Sequence, residues 1–281
     1  MKDTGWSTLR RRVHTAVILA VLSLTLILWG IGPFFVEAAF MATAGTAEFF
    51  DMVERKGLRP ARRLGTLLTL VLLAAACHFS LDVLFMVYFG SFVVLLVAMV
   101  GRVSERRSVL LDTAATWMGI SYLGLFSFML LLRQLPGTLT VLGFPVSNGA
   151  ALLLLLVSLC AATDIGAYFI GRSWGRHKLY PAVSPKKTWE GSIGGLLCAG
   201  AVMAAVAPSW GWDSKTAIFI GILVSLTGQV GDLWESALKR EVGVKDSGDL
   251  LGAHGGVLDR FDSLAFAAPT FYLLGRWTGW F

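Results

Sequence analysis

Long apolar runs alternate along this chain with short polar segments that are rich in Lys and Arg. A helix of roughly 17 to 25 apolar residues is long enough to cross the hydrocarbon core of a bilayer. The pattern predicts nine such spans, at 13–31, 33–53, 64–79, 82–100, 109–132, 148–170, 192–209, 216–236 and 261–279. The sequence therefore predicts an all-α integral membrane protein with about nine transmembrane helices.

The first apolar run also has features of a secretory signal peptide. Three arginines at 10–12 precede it, and Ala42-Thr43-Ala44 has the composition of a cleavage site. The run is longer than the usual signal core, however, and a second apolar run follows before that site. A retained first span is the favoured interpretation.

Positive charge indicates the orientation of these spans. If the N-terminus is cytoplasmic, all but three of the 24 Lys and Arg residues fall on the cytoplasmic side, the exceptions being Arg133, Lys215 and Arg276. Lys and Arg concentrate in the cytoplasmic loops of membrane proteins. We therefore predict a cytoplasmic N-terminus, an external C-terminus and a cytoplasmic (inner) membrane of bacterial type.

Composition agrees with a membrane protein, since 56% of the residues are hydrophobic, 15% are charged and the mean hydropathy is +0.70. We predict a single polytopic domain over 1–281, with a lipid-embedded half at 1–145 and a catalytic half at 146–281. Basic cytoplasmic loops explain the net charge of +6, so no nucleic-acid partner is predicted. The three cysteines lie singly in apolar surroundings, which argues against a disulfide framework or a zinc site.

Charge is concentrated in one stretch near the end of the chain, from Ser236 to Asp262. Ionisable groups at the margin of a membrane segment are costly to desolvate, so their default interpretation is a functional site. We interpret this stretch as a phosphate and metal site. Its ionisable residues include Lys239, Arg240, Lys245, Asp246, Asp249, His254, Asp259, Arg260 and Asp262.

The end of this stretch combines glycines with acids. Gly255 and Gly256 allow backbone amides to approach a phosphate closely. Asp259 and Asp262 are three residues apart and open the ninth predicted span. His254 lies beside the glycines, where a lone histidine is more often a solvated turn residue, so its spacing alone does not make it a metal ligand.

Two further carboxylates lie near the cytoplasmic ends of predicted spans, Asp164 in the sixth and Asp232 in the eighth. The sequence places no obvious fixed cation beside Asp232, which favours a metal ion over a surface salt bridge. For Asp164 a structural ion pair is the alternative. Together with Asp259, these acids reach the same membrane face, and carboxylates, water and substrate phosphates are the ligands of Mg²⁺. We predict Mg²⁺ and leave a second divalent or monovalent cation open.

The segment from Ser184 to Thr188 supplies positive charge to the same face. Pro185 disfavours a helix at Ser184, and Lys186 and Lys187 offer point charges for phosphate oxygens. Thr188 is placed to open the seventh span, where a helix N-terminus adds amide donors for an anion. An ordinary basic cytoplasmic loop is the alternative interpretation.

Acids for divalent cations beside several basic residues form the arrangement that phosphoryl and nucleotidyl transfer require. The chain has no G-x-x-x-x-G-K-[ST], no GxGxxG after a strand and no H-E-x-x-H. A P-loop ATPase, a Rossmann enzyme and a zinc protease are therefore excluded.

The charged stretch follows the pattern S-x-L-K-R-x₄-K-D-x-G-x₂-L-G-x-H-G-G-x₂-D-R-x-D, complete from Ser236 to Asp262. It resembles the signature of the phosphatidate cytidylyltransferases, also called CDP-diacylglycerol synthases. The segments SPKKTWEG at 184–191 and TDIGAYFIGR at 163–172 resemble other parts of that family. The resemblance covers about the last 130 residues closely; the first half shares only its hydrophobic, multi-span character.

The resemblance implies transfer of CMP from CTP to phosphatidic acid with Mg²⁺, at the cytoplasmic membrane face. It implies that Asp232 and Asp259 hold metal, and that phosphates bind Lys239, Arg240 and the 184–188 loop. We take the catalytic residues to be Asp232, Asp259, Lys239 and Lys187, and the metal ligands to be Asp232, Asp259, Asp164 and Asp262. The predicted substrate-binding residues are Ser184, Pro185, Lys186, Thr188, Arg240, Lys245, Asp246, His254, Gly255, Gly256 and Arg260.

Other functions remain as alternatives. The same CTP-dependent transfer to a prenyl or ether lipid phosphate is the nearest one. A cation-coupled transporter would place its carboxylates nearer the membrane midplane and would not need the basic segments. A non-catalytic membrane scaffold is less favoured. Membrane lipids are predicted partners, and a homo-oligomer is left open.

Overall fold

The structure, a computed structural model, describes residues 5–101, 108–141, 143–252 and 255–281. It is mostly helical. Its helices are α1 (Gly5–Trp29), α2 (Ile31–Glu54), α3 (Arg62–His78), α4 (Leu81–Val100), α5 (Val109–Gly124), α6 (Ser127–Arg133), α7 (Asn148–Trp174), α8 (Trp189–Trp210), α9 (Ser214–Val242) and α10 (Leu258–Trp277). Two antiparallel hairpins pair β1 (Thr138–Val141) with β2 (Phe144–Ser147) and β3 (Lys178–Tyr180) with β4 (Ser184–Thr188).

Five helical segments in the described residues are long and apolar enough to cross a membrane, namely α4, the segment Val109–Arg133 formed by α5 and α6, α7, α8 and α9. The helix α3 has 17 residues, at the lower end of the length that crosses a bilayer. The helices α2 and α10 contain several charged residues. The membrane character predicted from the apolar runs is confirmed, whereas nine spans and their orientation stay predictions.

The chain forms two compact units. Unit 1 consists of Met1–Ala150 and Val242–Arg260, and unit 2 consists of Ala151–Glu241 and Phe261–Phe281. The predicted single domain and the predicted division at 145/146 stay predictions. The sequence did not indicate that most of the charged stretch belongs with the N-terminal residues.

Unit 1 is built around two adjacent aromatic residues of α2, Phe49 and Phe50, which are fully buried. Their rings contact glycines of α3 and α5. A Cβ added at Gly65 would lie 2.6 Å from the Phe50 ring, and one added at Gly119 would lie 2.8 Å from it. Small residues at these positions let the three helices pack closely, as in other membrane helix bundles.

Unit 2 uses small residues between α7 and α8 in the same way. A Cβ added at Gly166 would lie 2.5 Å from the sulfur of Cys198, and one at Gly194 would lie 2.5 Å from Ile170. Cys198 is a free thiol that fills this narrow contact. The side chain of Cys198 therefore serves in helix packing.

The start of α9 is fixed by an acid in the loop before it. Asp213 accepts hydrogen bonds at 2.8 Å from both the backbone N–H and the hydroxyl of Thr216. Asp is a favoured helix-capping residue, since its carboxylate satisfies a backbone donor of the first turn. The hydrogen bond from the Thr216 backbone is the main reason why the pKa of Asp213 lies below its ordinary value.

Candidate active site

The predicted phosphate-binding segment forms the second strand of the β3–β4 hairpin in unit 2. Lys178 pairs with Thr188 and Tyr180 with Ser184. Successive side chains of a strand point to opposite faces, so Lys186 is exposed while Lys187 is half-buried. Pro185 was predicted to disfavour a helix at Ser184, and Ser184 lies in this strand.

Thr188 ends the strand and begins α8. Its hydroxyl oxygen accepts a hydrogen bond from the backbone N–H of Gly191 at 3.1 Å. The prediction that Thr188 opens this helix is therefore confirmed. The strand that carries Lys186 and Lys187 therefore leads directly into α8, with Thr188 buried at the junction.

Lys187 contacts an acid on α9. Its Nζ lies 2.5 Å from Oδ2 of Asp232. The expectation that no fixed cation accompanies Asp232 is wrong, because 45 residues of sequence separate the two side chains and only the hairpin brings them together. The other carboxylate oxygen, Oδ1, lies 3.5 Å from the hydroxyl of Ser236, one helical turn further along α9.

Two further predicted metal ligands interact electrostatically with this ion pair. Asp164 of α7 is exposed and interacts electrostatically with both Asp232 and Lys187. Asp262 of α10 also interacts electrostatically with Asp232. Within unit 2, Asp232 therefore interacts with Lys187 and with two of the other three predicted metal ligands.

These residues provide suitable donors for Mg²⁺. Among the residues that the structure describes, no three His, Cys, Asp or Glu side chains are close enough to enclose an ion by themselves. Mg²⁺ does not require such a cage, because it is usually bound by one or two carboxylates together with water and substrate phosphates. Asp232, with Asp164 and Asp262 near it, supplies hard oxygen donors of this kind, so the donor set fits Mg²⁺.

Lys239 and Arg240 are adjacent on α9 but have different surroundings. Lys239 is buried, and its Nζ lies 3.1 Å from Oε2 of the fully buried Glu235. Arg240 is exposed and donates from Nε to the carbonyl of Val183, in the turn of the β3–β4 hairpin, at 3.3 Å. Arg240 thus attaches the hairpin to α9, while Lys239 belongs to a buried ion pair.

Glu235 was missed as a site residue. It forms an ion pair with Lys239 and also interacts with Asp262 of α10. Glu235 and Lys239 are four residues apart, which is the usual spacing of an ion pair on a helix. This spacing is the feature of the sequence that could have indicated the pair. Glu235 therefore links a predicted phosphate-binding lysine to a predicted metal ligand within unit 2.

Asp259 lies in unit 1, in the first turn of α10. Its Oδ2 accepts hydrogen bonds from the backbone N–H groups of Ser247 at 3.0 Å and Gly256 at 2.9 Å, and it lies 3.1 Å from the hydroxyl oxygen of Ser247. The Gly256 amide, expected to approach a phosphate, thus donates to Asp259 here. Gly255 adopts a left-handed conformation with φ of 79°, which a residue without a Cβ tolerates best.

The remaining predicted residues of the charged stretch differ in exposure. Lys245, Asp246 and Arg260 are exposed in unit 1. His254 lies outside the described residues. The common metal site of Asp232 and Asp259 stays a prediction from the sequence, as do the substrate-binding roles of the charged stretch.

Comparisons with known proteins agree with the resemblance of the charged stretch. Residues 10–278 match the model of the cytidylyltransferase family. The phosphatidate cytidylyltransferase of Synechocystis sp. is 34% identical over 285 aligned positions, which cover 93% of this chain and 94% of that protein. The phosphatidate cytidylyltransferases of Staphylococcus aureus strain COL and Staphylococcus saprophyticus are 40% and 39% identical, and each alignment covers 61% of this chain and 62% of the relative. This chain belongs to the cytidylyltransferase family.

Proposed function

We propose that this protein transfers CMP from CTP to phosphatidic acid, giving CDP-diacylglycerol and pyrophosphate. The family membership and the names of the similar proteins support this reaction. The observation that carries the proposal is the Lys187–Asp232 ion pair with Asp164 and Asp262 near it. It combines a cation suited to phosphate oxygens with acids suited to Mg²⁺.

The proposed reaction places modest demands on acid–base chemistry. The phosphate monoester of the lipid is already an anionic nucleophile, so no strong general base is needed. One of its oxygens attacks the α-phosphorus of CTP and forms a new P–O bond. The bond from the α-phosphorus to the oxygen that bridges to the β-phosphate breaks, and pyrophosphate leaves with that oxygen and its electron pair. The protein contributes positioning and charge neutralisation.

The proposed role of each residue follows from its location. Lys186 and Lys187 bind phosphate oxygens of the leaving group, and Lys239 and Arg240 bind further phosphates. When bound, Mg²⁺ offsets negative charge on the α-phosphate and on the pyrophosphate. Asp232, Asp164 and Asp262 are the proposed ligands from unit 2, and the signature resemblance adds Asp259. We assign substrate contacts also to Ser184, Pro185, Thr188, Lys245, Asp246, His254, Gly255, Gly256 and Arg260.

The membrane setting suits a lipid substrate. The diacyl tails stay in the bilayer while the phosphate headgroup meets a water-soluble nucleotide at the cytoplasmic face. We propose nine spans in a bacterial cytoplasmic membrane, with the N-terminus inside, because this arrangement puts 21 of the 24 Lys and Arg residues on the cytoplasmic side.

The test is a reaction with purified protein, CTP labelled at the α-phosphate, Mg²⁺ and either phosphatidic acid or an isoprenoid phosphate. We expect label in CDP-diacylglycerol and an equal amount of pyrophosphate. Label only in the isoprenoid lipid would favour the alternative acceptor. Absence of pyrophosphate with both lipids would overturn the proposal, and solute uptake into vesicles without pyrophosphate would favour a transporter.

A matched pair of variants then tests the assignment of the acid. Asp232→Asn should abolish turnover while the protein keeps its elution volume in detergent. Asp82→Asn removes an exposed acid from the first turn of α4 and should leave the rate unchanged. Equal rates for the two variants would refute the role of Asp232 while leaving the overall reaction unaffected.

A further inference from the structure

A buried acid of α2 contacts the charged stretch from the opposite end of the sequence. Glu48 is 7% exposed. Its Oε1 accepts a hydrogen bond from the backbone N–H of Val257 at 2.9 Å, and its Oε2 accepts one from Leu258 at 3.0 Å. Oε2 also lies 2.9 Å from the hydroxyl of Ser247. All four residues belong to unit 1, although Glu48 precedes the others by about 200 residues.

The backbone of the charged stretch leaves room for this carboxylate at two glycines. A Cβ added at Gly248 would lie 2.5 Å from Oε1 of Glu48. A Cβ added at Gly256 would lie 2.5 Å from Oε2 and 2.0 Å from the Ser247 hydroxyl. Real Cβ atoms do not approach oxygen atoms this closely, so any larger residue would displace the carboxylate or the backbone. These two glycines thus permit the close approach of Glu48.

Ser247 connects Glu48 to a predicted metal ligand. Its hydroxyl lies 2.9 Å from Oε2 of Glu48 and 3.1 Å from Oδ2 of Asp259. Its backbone N–H also donates to Asp259. Ser247 therefore lies between the two carboxylates. Glu48 and Asp259 also accept hydrogen bonds from the same short backbone segment, residues 256–258. A displacement of this backbone would alter the position of the Asp259 side chain.

A purely structural role would explain part of this arrangement. The first N–H groups of a helix have no partner within the helix, and Glu48 satisfies those of Val257 and Leu258 at the start of α10. Capping alone, however, does not require the hydroxyl of Ser247 or the narrow approach at Gly248. These contacts connect Glu48 to the segment that orients Asp259.

We propose that Glu48 is a positioning residue, which holds the Ser247–Gly248 and Gly256–Leu258 backbone so that Asp259 is oriented for the reaction. This inference rests on the proposed function of Asp259 as a metal ligand. Outer partners of a metal ligand fix its orientation, and their loss typically reduces metal affinity or activity about 10- to 100-fold. Glu48 in the first half of the chain thus helps to position Asp259 within unit 1.

The chemistry requires a carboxylate at this position. Three donors converge on the two oxygens of Glu48, and a carboxylate has acceptors only. Glu48→Gln keeps the shape but replaces one oxygen by an NH₂ group, which would face a donor. This substitution therefore removes at least one hydrogen bond without creating a cavity.

The experiment compares Glu48→Gln with Asp112→Asn. Asp112 is a matched control, because it is also a buried acid of unit 1 and accepts a backbone hydrogen bond, from Arg59 at 2.7 Å, but its contacts lie outside the charged stretch. For both variants, we would measure kcat, the Mg²⁺ concentration that gives half of the maximal rate, and hydrogen exchange of peptides containing Ser247 or Val257.

Glu48→Gln should raise the half-saturating Mg²⁺ concentration, or lower kcat, about 10- to 100-fold. It should speed exchange in these two peptides. Asp112→Asn should change none of these three quantities, even if it lowers the melting temperature. Wild-type rates and exchange in Glu48→Gln would overturn the inference. The wild-type rate with CTP and phosphatidic acid tests the proposed function, whereas the comparison of variants tests Glu48, so the two failures are distinguishable.

A second variant keeps the test decisive if Glu48→Gln fails to fold. Gly248→Ala leaves Glu48 in place but pushes against its Oε1, so it should reproduce the slower rate and the faster exchange. If both single variants fold, the Glu48→Gln/Gly248→Ala double variant should lose little more than either one, because both affect the same contact. A Gly248→Ala variant that matches wild type in rate, Mg²⁺ dependence and exchange would contradict the proposed contact.

Discussion

Lys187 Nζ lies 2.5 Å from Oδ2 of Asp232, and this ion pair joins the β3–β4 hairpin to α9. The side chains are 28% and 31% exposed. An ion pair with this exposure contributes at most about 1 kcal/mol to stability. Its main consequence is therefore geometric, since it holds the ammonium group of Lys187 next to the carboxylate of Asp232, a predicted metal ligand.

The first prediction concerns Lys187. Lys187→Ala should reduce kcat about 100- to 1,000-fold, the usual cost of losing a group that stabilises charge in the transition state. The melting temperature should change little, because the ion pair is weak. The control is Lys178→Ala, which removes an exposed lysine from the other strand of the same hairpin. A similar small loss of rate in both variants would show that only the general positive charge matters.

The second prediction separates stability from catalysis at Glu235 and Lys239. Removing one partner of a buried ion pair leaves an uncompensated charge and costs about 3–5 kcal/mol. Glu235→Leu should therefore lower the free energy of unfolding substantially, since Glu235 is fully buried. The Glu235→Leu/Lys239→Met double variant should recover most of this stability, because apolar residues often replace a buried pair without loss.

Activity should not recover in that double variant, because Lys239 is proposed to bind phosphate. Thermal unfolding in detergent and the labelled-CTP assay measure the two quantities separately. If the double variant regained both its stability and its rate, Lys239 would have a structural role only.

The third prediction concerns the acids near Asp232. Asp164→Asn and Asp262→Asn should each raise the Mg²⁺ concentration needed for half of the maximal rate by about tenfold or more, because each removes an oxygen donor near the metal. Excess Mg²⁺ should restore much of the rate in Asp164→Asn. A Mg²⁺ titration of each variant beside Asp82→Asn checks this. Unchanged Mg²⁺ dependence in both variants would show that neither Asp164 nor Asp262 binds the metal ion.

Much of the fold and part of the site followed from local patterns. The apolar runs predicted the helices, Pro185 disfavoured a helix at Ser184, where β4 begins, and Thr188 marked the start of α8. These features depend on a few neighbouring residues. The β3–β4 hairpin was not predicted, because its two short strands lack the alternation of apolar and polar residues that indicates a strand.

The contacts of the candidate site were harder to predict because they join distant parts of the chain. Lys187 and Asp232 are 45 residues apart, and Glu48 and Leu258 are 210 residues apart. In the sequence, Glu48 is one charged residue within the second apolar run. Its role depends on tertiary hydrogen bonds, so composition and spacing carry no signal for it.

The last prediction tests the orientation of the chain in the membrane. Lys186 and Lys215 are both exposed and lie on either side of α8 in the sequence. The 22 residues of α8 extend about 33 Å as a helix, enough to cross a bilayer. A membrane-impermeant maleimide should therefore label Lys186→Cys only in inverted membrane vesicles and Lys215→Cys only in right-side-out vesicles. Unsubstituted protein reports labelling of the three native cysteines. Labelling of both variants from one side would contradict the spanning role of α8, and exchanged sides would place the candidate site outside the cytoplasm.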